Sequence, residues 1–288
     1  METVLSTVLI GVMLGAQYAL LALGFTLIFG ILGVVNFAHG SLYMLGGYLA
    51  YAAVAKAGVP YPAAVVFATL GTAALGYLFE VWILQRVVDD HLATLILTLG
   101  FSQVIITGVT MVFGHEAPRF TFPIVGNVAV GSLFIPQDKL IVFAISAVVI
   151  CAVYWLVYRT GFGRAMRALS IDRAVAITLG MNARIIFPLT VALSAGLAGL
   201  TGSLITPILS LSPHAGESVL ITAFVVVILG GLGSVAGATA AAFLVGIIEA
   251  FSGVYIGGSL GTLGLFVLVI AILMFRPSGL FGASMRGA

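Results

Sequence analysis

An all-α, polytopic transmembrane helical bundle is the fold class this sequence predicts, on three observations. Of 288 residues, 62% are hydrophobic and 7% are charged, whereas a soluble domain carries roughly 25% charged residues in its water-facing shell. Apolar runs of about 20 residues recur, the length that crosses a bilayer as a helix. A membrane barrel would instead alternate in polarity over strands of about ten residues. The net charge of +2 is small, so its placement matters more than its sum. The 36 glycines suit close helix approach in lipid. The one cysteine, Cys151, lies in an apolar run, which leaves no disulfide framework and no cysteine metal site. Glu2 and the lack of a basic start argue against a cleaved signal peptide, so the first segment is expected to stay.

Nine apolar segments follow in order, two of them broken or partly re-entrant, so eight or nine spans are expected. The first covers about Val4 to Phe29 and carries a Gly-xxx-Gly pair, Gly11 and Gly15, that lets another backbone approach. A break at Gly30 to Gly33 precedes Asn36-Phe-Ala-His39-Gly40, which opens a second run reaching Ala55. Lys56, Gly58 and Pro60 mark a turn before the third run, about Tyr61 to Leu84. A polar loop from Gln85 to His91 leads to the fourth, about Leu92 to Phe113. The connection from about 114 to 139 carries Pro118, Pro123 and Pro136 with Gly126, Asn127 and Gly131, signals of turns and extended chain at an aqueous face. The fifth run, about Leu140 to Tyr158, ends in the interfacial aromatics Tyr154, Trp155 and Tyr158. The sixth is about Ile185 to Leu209. Val219 to Leu229, short for a span, meets a second Gly-rich break from Gly230 through Gly231 and Gly233 to Gly237. Runs from Ala238 to Phe251 and from about Leu260 to Phe275 complete the nine, the last of them stopping at Arg276-Pro277.

Between the fifth and sixth runs lie five of the eleven Lys and Arg residues: Arg159, Arg164, Arg167, Arg173 and Arg184. An arginine at the centre of a membrane helix costs roughly 2.5–3.5 kcal/mol on insertion scales, so residues 159–184 must lie in water. With this loop on the cytoplasmic side, strict alternation puts Arg86, the five loop arginines, Arg276 and Arg286 inside, and Lys56, Arg119 and Lys139 outside. That distribution satisfies the positive-inside rule, with the N-terminus outside and the C-terminus inside. Within the loop, Gly161 and Gly163 are expected to break the preceding helix. Ser170 would cap a helix from Ile171 to Leu179, and Gly180 with Asn182 would end it. Ile171, Val175 and Thr178 would line its apolar face. Such a helix suits a groove on a partner protein, or the anionic headgroup layer; the pattern leaves both open.

No catalytic constellation is visible. His39, His91, His115 and His214 are scattered without metal-ligand spacing, and no phosphate-binding Gly-x-x-x-x-Gly-Lys-Ser/Thr loop is present. No cofactor, metal or nucleic acid is called for. Glu80 and Glu249 stand singly within runs; Glu80 lies near Arg86 at a membrane end, and Glu249 suits a structural hydrogen bond inside the bundle. Unwound backbone in a membrane often lines a pathway. This makes Asn36, His39, Gly40, Gly46, Gly47, Gly230, Gly231, Gly233 and Gly237 candidate pathway residues. Surface turns and helix packing account for the same glycines.

Four ordered motifs together resemble a known family. They are Asn36-Phe-Ala-His39-Gly40 with Tyr43-Met44-Leu-Gly46-Gly47-Tyr48, Gly163-Arg-Ala-Met-Arg167-Ala-Leu-Ser-Ile-Asp172 through Gly180-Met-Asn182, Gly230 to Gly237, and Arg276-Pro277-Ser-Gly279-Leu-Phe281-Gly282. The chain is similar over its whole length to the LivH-like permeases, membrane subunits of bacterial importers for branched-chain amino acids. The resemblance implies a single permease domain over residues 1–288 in the inner membrane, with a cytoplasmic coupling loop at about 159–184 and a periplasmic loop at about 114–139. It implies four kinds of contact besides lipid: a second related permease, two cytoplasmic ATPase subunits, a periplasmic substrate-binding protein, and the cargo leucine, isoleucine or valine. ATPase contact would fall on Gly163, Arg164, Arg167, Ile171, Asp172, Arg173, Val175, Gly180 and Asn182. Urea-type permeases share a similar Asn-x-Ala-His-Gly element, so urea or another amino acid is an alternative cargo. A stand-alone channel or gradient-driven carrier is the alternative of a different class.

Overall fold

Helices dominate the protein because the apolar runs leave the backbone no water to bond with, and an α-helix satisfies each N–H and C=O within its own segment. The computed structural model describes the chain except residues 1, 88, 89, 117, 119, 125, 131, 132, 277, 278 and 282–288. Arg119, Gly131, Pro277, Gly282 and Arg286, used above, therefore lie outside the described residues. The helices are α1 (Glu2–Leu32), α2 (His39–Tyr51), α3 (Tyr61–Trp82), α4 (His91–Phe113), α5 (Gln137–Arg159), α6 (Gly161–Ile171), α7 (Arg173–Thr178), α8 (Ala183–Ile205), α9 (Ala215–Gly230), α10 (Val235–Tyr255) and α11 (Gly258–Phe275). Among the described residues, six helices are long and apolar enough to cross a membrane: α1, α3 with its 3₁₀ extension to Arg86, α4, α5, α8 and α10. The remaining apolar segments form α2, α9 and α11, of 13, 16 and 18 residues. All nine predicted segments are thus helical, and the chain is a multi-pass membrane bundle.

Several boundaries have legible causes. Gly33 ends α1 with φ +66°, a left-handed conformation that costs a glycine little. The run after it enters helix at His39 rather than Asn36, because the Asn36 side chain accepts a hydrogen bond from Ala38 N (3.0 Å) and holds a turn. A π-helical turn, Ala52–Lys56, ends the α2 segment. Asp90 caps α4 by accepting from Leu92 N and Ala93 N. The predicted extended connection contains a small antiparallel hairpin, β1 (Asn127–Val130) with β2 (Leu133–Pro136), in register Val128↔Ile135 and Ala129↔Phe134.

The chain divides into two compact units. One comprises Met1–Thr26, Ile124–Ile150 and Thr222–Ala288. Within it the Gly11/Gly15 pair does what its spacing predicts: a Cβ at either position would lie 2.7 Å from a backbone Cα of α10, at Ile247 and Phe243. The helices α1 and α10 therefore touch backbone to backbone. Tyr18 Oη donates to Glu249 across the same contact (2.7 Å), the structural hydrogen bond expected for that carboxylate.

The second unit comprises Leu27–Pro123 and Cys151–Ile221. Its α3 and α8 form the most extensive helix pair, and α2 lies against both. Small residues make this possible: Gly46 abuts the backbone of Gly199, and Gly202 abuts the carbonyl of Tyr43. Pro188 sits inside α8 and supplies no N–H to Arg184 O, four residues earlier. That carbonyl accepts instead from Gln85 Nε2 (3.3 Å).

Candidate functional site

The arginine-rich loop is folded, and its detail differs from the sequence expectation. The loop holds two helices, α6 and α7, where one is predicted: the predicted helix from Ile171 to Leu179 is the shorter α7, while Ile171 ends α6 and the chain breaks at Asp172. The break after α5 falls at Thr160, whose hydroxyl accepts from Gly163 N (3.1 Å), so Gly161 and Gly163 lie inside α6 rather than interrupting a helix. Ser170 caps nothing; its hydroxyl donates to Arg167 O (2.8 Å). Asp172 is the cap, accepting from Val175 N at 2.9 Å. Aspartate is among the residues that serve best as a cap, and its carboxylate lies at the positive end of the helix. Gly180 does end α7, with φ +87°, whereas Asn182 starts α8, its side chain accepting from Arg184 N (3.1 Å).

The loop packs onto the bundle through few residues. A Cβ at Gly163 would strike the carbonyl oxygens of Leu156 and Val157, so glycine is what lets α6 fold back against the end of α5. The Arg167 guanidinium donates to Val157 O and lies 5.3 Å from the centre of the Tyr158 ring. Leu169 and Ala176 are buried with Leu32, Phe79, Leu84 and Phe187 in one apolar cluster. The opposite surface stays open: Ile171 is 86% exposed, Leu179 74% and Val175 51%, and Arg164 and Asp172 are exposed beside them. Arg173 is half-buried, 5.1 Å from the Phe187 ring centre. It borders a recess of about 200 Å³ shared with Gln85, Ala183, Arg184 and Phe187.

The first Gly-rich element is buried, with Asn36 and His39 at 4% and 0% exposure. Gly40 meets the backbone of Gly216 at the start of α9 and stands 2.9 Å, measured from a Cβ built on it, from Leu220 Cβ. Beside this contact is a cavity of about 20 Å³, room for roughly one water, bordered by Phe37, Gly40, Ser41, Ser102, Ile106 and Glu217 among others. Of the five candidates in this element only Gly40 borders it; Gly46 and Gly47 face α8 and Thr206.

The second element, in the other unit, forms a tight turn with Gly231 and Gly233 at φ +97° and +83°. Ser234 then caps α10, accepting from Gly237 N (3.0 Å). Gly230 and Gly237 are in backbone contact across the turn. The chain's final motif returns to the same place: Leu280 N donates to Leu229 O (2.8 Å) and Phe281 N to Gly230 O (3.3 Å). Two motifs distant in sequence therefore form one unit in space.

The basic loop and both Gly-rich elements fall within the 7–276 stretch that matches the family model "Branched-chain amino acid transport system / permease component". The chain belongs to this permease family. Among relatives of this family member is the Pseudomonas aeruginosa high-affinity branched-chain amino acid transport system permease protein BraD, 31% identical over 94% of each chain. The Escherichia coli K12 protein LivH, of the same description, is 30% identical over 94% of this chain and 93% of its own. Escherichia coli LivM, also so described, is 27% identical over 91% of this chain and 67% of its own.

Spacing did not reveal two residues that the fold of this permease-family chain brings forward. Ser102 and Glu217 border the cavity with Gly40; each is an isolated polar residue near an apolar run. Glu80 is fully buried in α3, with neither carboxylate oxygen hydrogen-bonded among the described residues. Among the described residues no group of His, Cys, Asp and Glu has the arrangement of a metal site.

Proposed function

We propose that this chain is the membrane-spanning permease subunit of an ABC importer in the bacterial inner membrane. Its cargo is a branched-chain amino acid, leucine, isoleucine or valine, moved inward by ATP hydrolysis on partner subunits. The observation that carries this reading is the family match across nearly the whole chain. The partners are a second related permease, two cytoplasmic ATPase subunits and a periplasmic binding protein. The N-terminus lies in the periplasm and the C-terminus in the cytoplasm, the orientation that puts the basic loop inside.

In this reading α6 and α7 are the coupling element. Gly163 and Arg167 hold it on the bundle, and the exposed Ile171, Val175 and Leu179, with the exposed Arg164 and Asp172, meet the ATPase. A conformational change driven by a ligand requires differential contact with the two states, so closure of the ATPases must press on this surface to reorient the attached helices. Arg173, Gly180 and Asn182 shape the loop beneath it. The pathway runs by Asn36, His39 and Gly40 and the small cavity beside Gly40. Gly46 and Gly47, with Gly230, Gly231, Gly233 and Gly237, let the surrounding helices pack closely.

Purification through this chain in mild detergent tests the class: two ATP-binding subunits and a second permease should co-purify, whereas a lone homo-oligomer would overturn it. Vesicles loaded with ATP then test the cargo, with leucine, isoleucine and valine expected to be taken up and urea not. In the same vesicles His39→Ala should reduce uptake more than His115→Ala, an exposed residue of the 114–139 connection. Equal effects would remove His39 from the pathway.

A further inference from the structure

Two arginines border one recess where two spans end together. The span Tyr61–Arg86 finishes, and Ala183–Ile205 begins, at this point. Gln85 Nε2 donates to Arg184 O across the two (3.3 Å), so both ends lie at one depth. The recess, about 200 Å³, is bordered by Gln85, Arg173, Ala183, Arg184 and Phe187, with no carboxylate among the described residues around it. Asp172, next in sequence to Arg173, is engaged in capping α7, where it accepts from Val175 N (2.9 Å). Arg173 precedes the buried Ala176 by three positions, which puts it on the bundle side of α7 and away from the exposed Val175. Its guanidinium lies 5.1 Å from the Phe187 ring centre. Arg184 stands in the first turn of α8, where the helix dipole is already positive and a cation is least favoured. Positive charge is thus gathered at a site that an anion would relieve.

The flanking surface is apolar. Trp82 and Ile83 at the end of the first span are exposed, as are Ile185 and Leu189, one turn apart on α8. The recess is smaller than the roughly 300–1,000 Å³ of a pocket that encloses a whole small molecule, so it suits a headgroup whose chains stay outside. We propose that it is a site for an anionic phospholipid: Arg173 and Arg184 hold the phosphate, and an acyl chain lies along Ile185 and Leu189. Guanidinium groups bind phosphate oxygens through paired, charge-assisted hydrogen bonds. Basic pockets between spans at a membrane face are where such headgroups bind. Because Arg173 is the first residue of α7, the bound lipid joins this loop helix to the ends of both spans. The site requires only that α3 and α8 cross the membrane, whatever drives transport.

The two tryptophans, Trp82 and Trp155, make the test direct, since Trp82 lies three residues before Gln85. The full chain carrying Trp155→Phe is reconstituted in vesicles of phosphatidylcholine and phosphatidylglycerol, one lipid at a time bearing brominated chains, and quenching of Trp82 is read. Brominated phosphatidylglycerol should quench in clear preference to brominated phosphatidylcholine. Arg173→Gln and Arg184→Gln should each lower that preference about fivefold, the contribution of one basic residue beside an anionic lipid surface, and the two together should abolish it. Arg86→Gln, exposed and outside the recess, should change it less than about twofold, since exposed charges are screened. With Trp82→Phe instead, Trp155, near Arg159 at the end of α5, should show no comparable preference. An equal preference at Trp155, none at Trp82, or an equal loss in Arg86→Gln would overturn the proposal. Loss of the preference on adding millimolar inorganic phosphate would assign the recess to a soluble anion, and indifference to both arginine variants would leave it to an acidic side chain of a partner; either refutes the lipid site. If Arg173→Gln does not accumulate, the exposed Arg184 decides the matter alone, with Arg184→Gln losing the preference and Arg184→Lys keeping part of it.

Discussion

Replacing Asp172 by alanine tests how the loop is built. The Asp172 carboxylate accepts from Val175 N at 2.9 Å and starts α7. Losing such a cap costs about 1 kcal/mol, and losing its charge at the positive helix end costs about 0.3–1 kcal/mol more. Asp172 is exposed, so the lower part of that range applies and the total is about 1.3–1.5 kcal/mol. Helices as short as α7, six residues long, do not persist alone, so the cap and the burial of Ala176 decide whether it forms. Roughly 1.3–1.5 kcal/mol is a factor of about 9–13 in the opening equilibrium. Hydrogen exchange of the amides at 175–179 should therefore quicken about 9–13-fold in Asp172→Ala. Asparagine caps as well as aspartate, so Asp172→Asn should stay within about twofold of the wild type. ATP-driven uptake should follow the same order, and Asp172→Arg, which also inverts the exposed charge, should uncouple hydrolysis from uptake. If Asn and Ala were equally disruptive, or exchange in Asp172→Ala were unchanged, the capping account of this loop would be wrong.

Two further outcomes follow from packing. Gly46→Val places a branched side chain against the backbone of Gly199, and overpacking of this kind costs about 1–3 kcal/mol; the detergent melting temperature should fall clearly, while Gly100→Ala, with open space around the site, should leave it unchanged or raised. Leu280→Pro removes the donor to Leu229 O (2.8 Å), and a buried carbonyl left unpaired costs about 1–3 kcal/mol; faster proteolysis or exchange at the Gly230–Gly237 turn should accompany the loss, and an unaffected turn would show that the final motif does not hold it.

The limits of what spacing can reveal are clearest in particular residues. Gly11 and Gly15 predicted a close helix contact, but nothing in their spacing named Phe243 and Ile247 as the other side. Glu249 was legible as an acid needing a hydrogen bond, yet its donor, Tyr18, lies 231 positions away. Asp172 and Ser170 both have cap chemistry, and the choice between them depends on where α6 stops, which the buried Met166 and Leu169 decide by packing. Glu80 is legible as a single acid near Arg86, yet only folding shows it fully buried, with neither oxygen hydrogen-bonded among the described residues.

By itself the sequence determined that this is a multi-pass helical membrane protein, where its nine apolar segments lie, and which loop must be wet. Those properties follow from the transfer of single residues and short runs between water and lipid, which depends on composition and not on neighbours distant in the chain. Its motifs, read together, also carried the family. Only the tertiary structure decided that the basic loop is two helices that meet at Asp172, that the Gly230 turn and the final motif are one unit, and that Leu169 and Ala176 of the loop are buried against Phe79 and Phe187. Each of these depends on contacts between segments tens or hundreds of residues apart. A hydrogen bond or a backbone contact exists only at the separation folding creates.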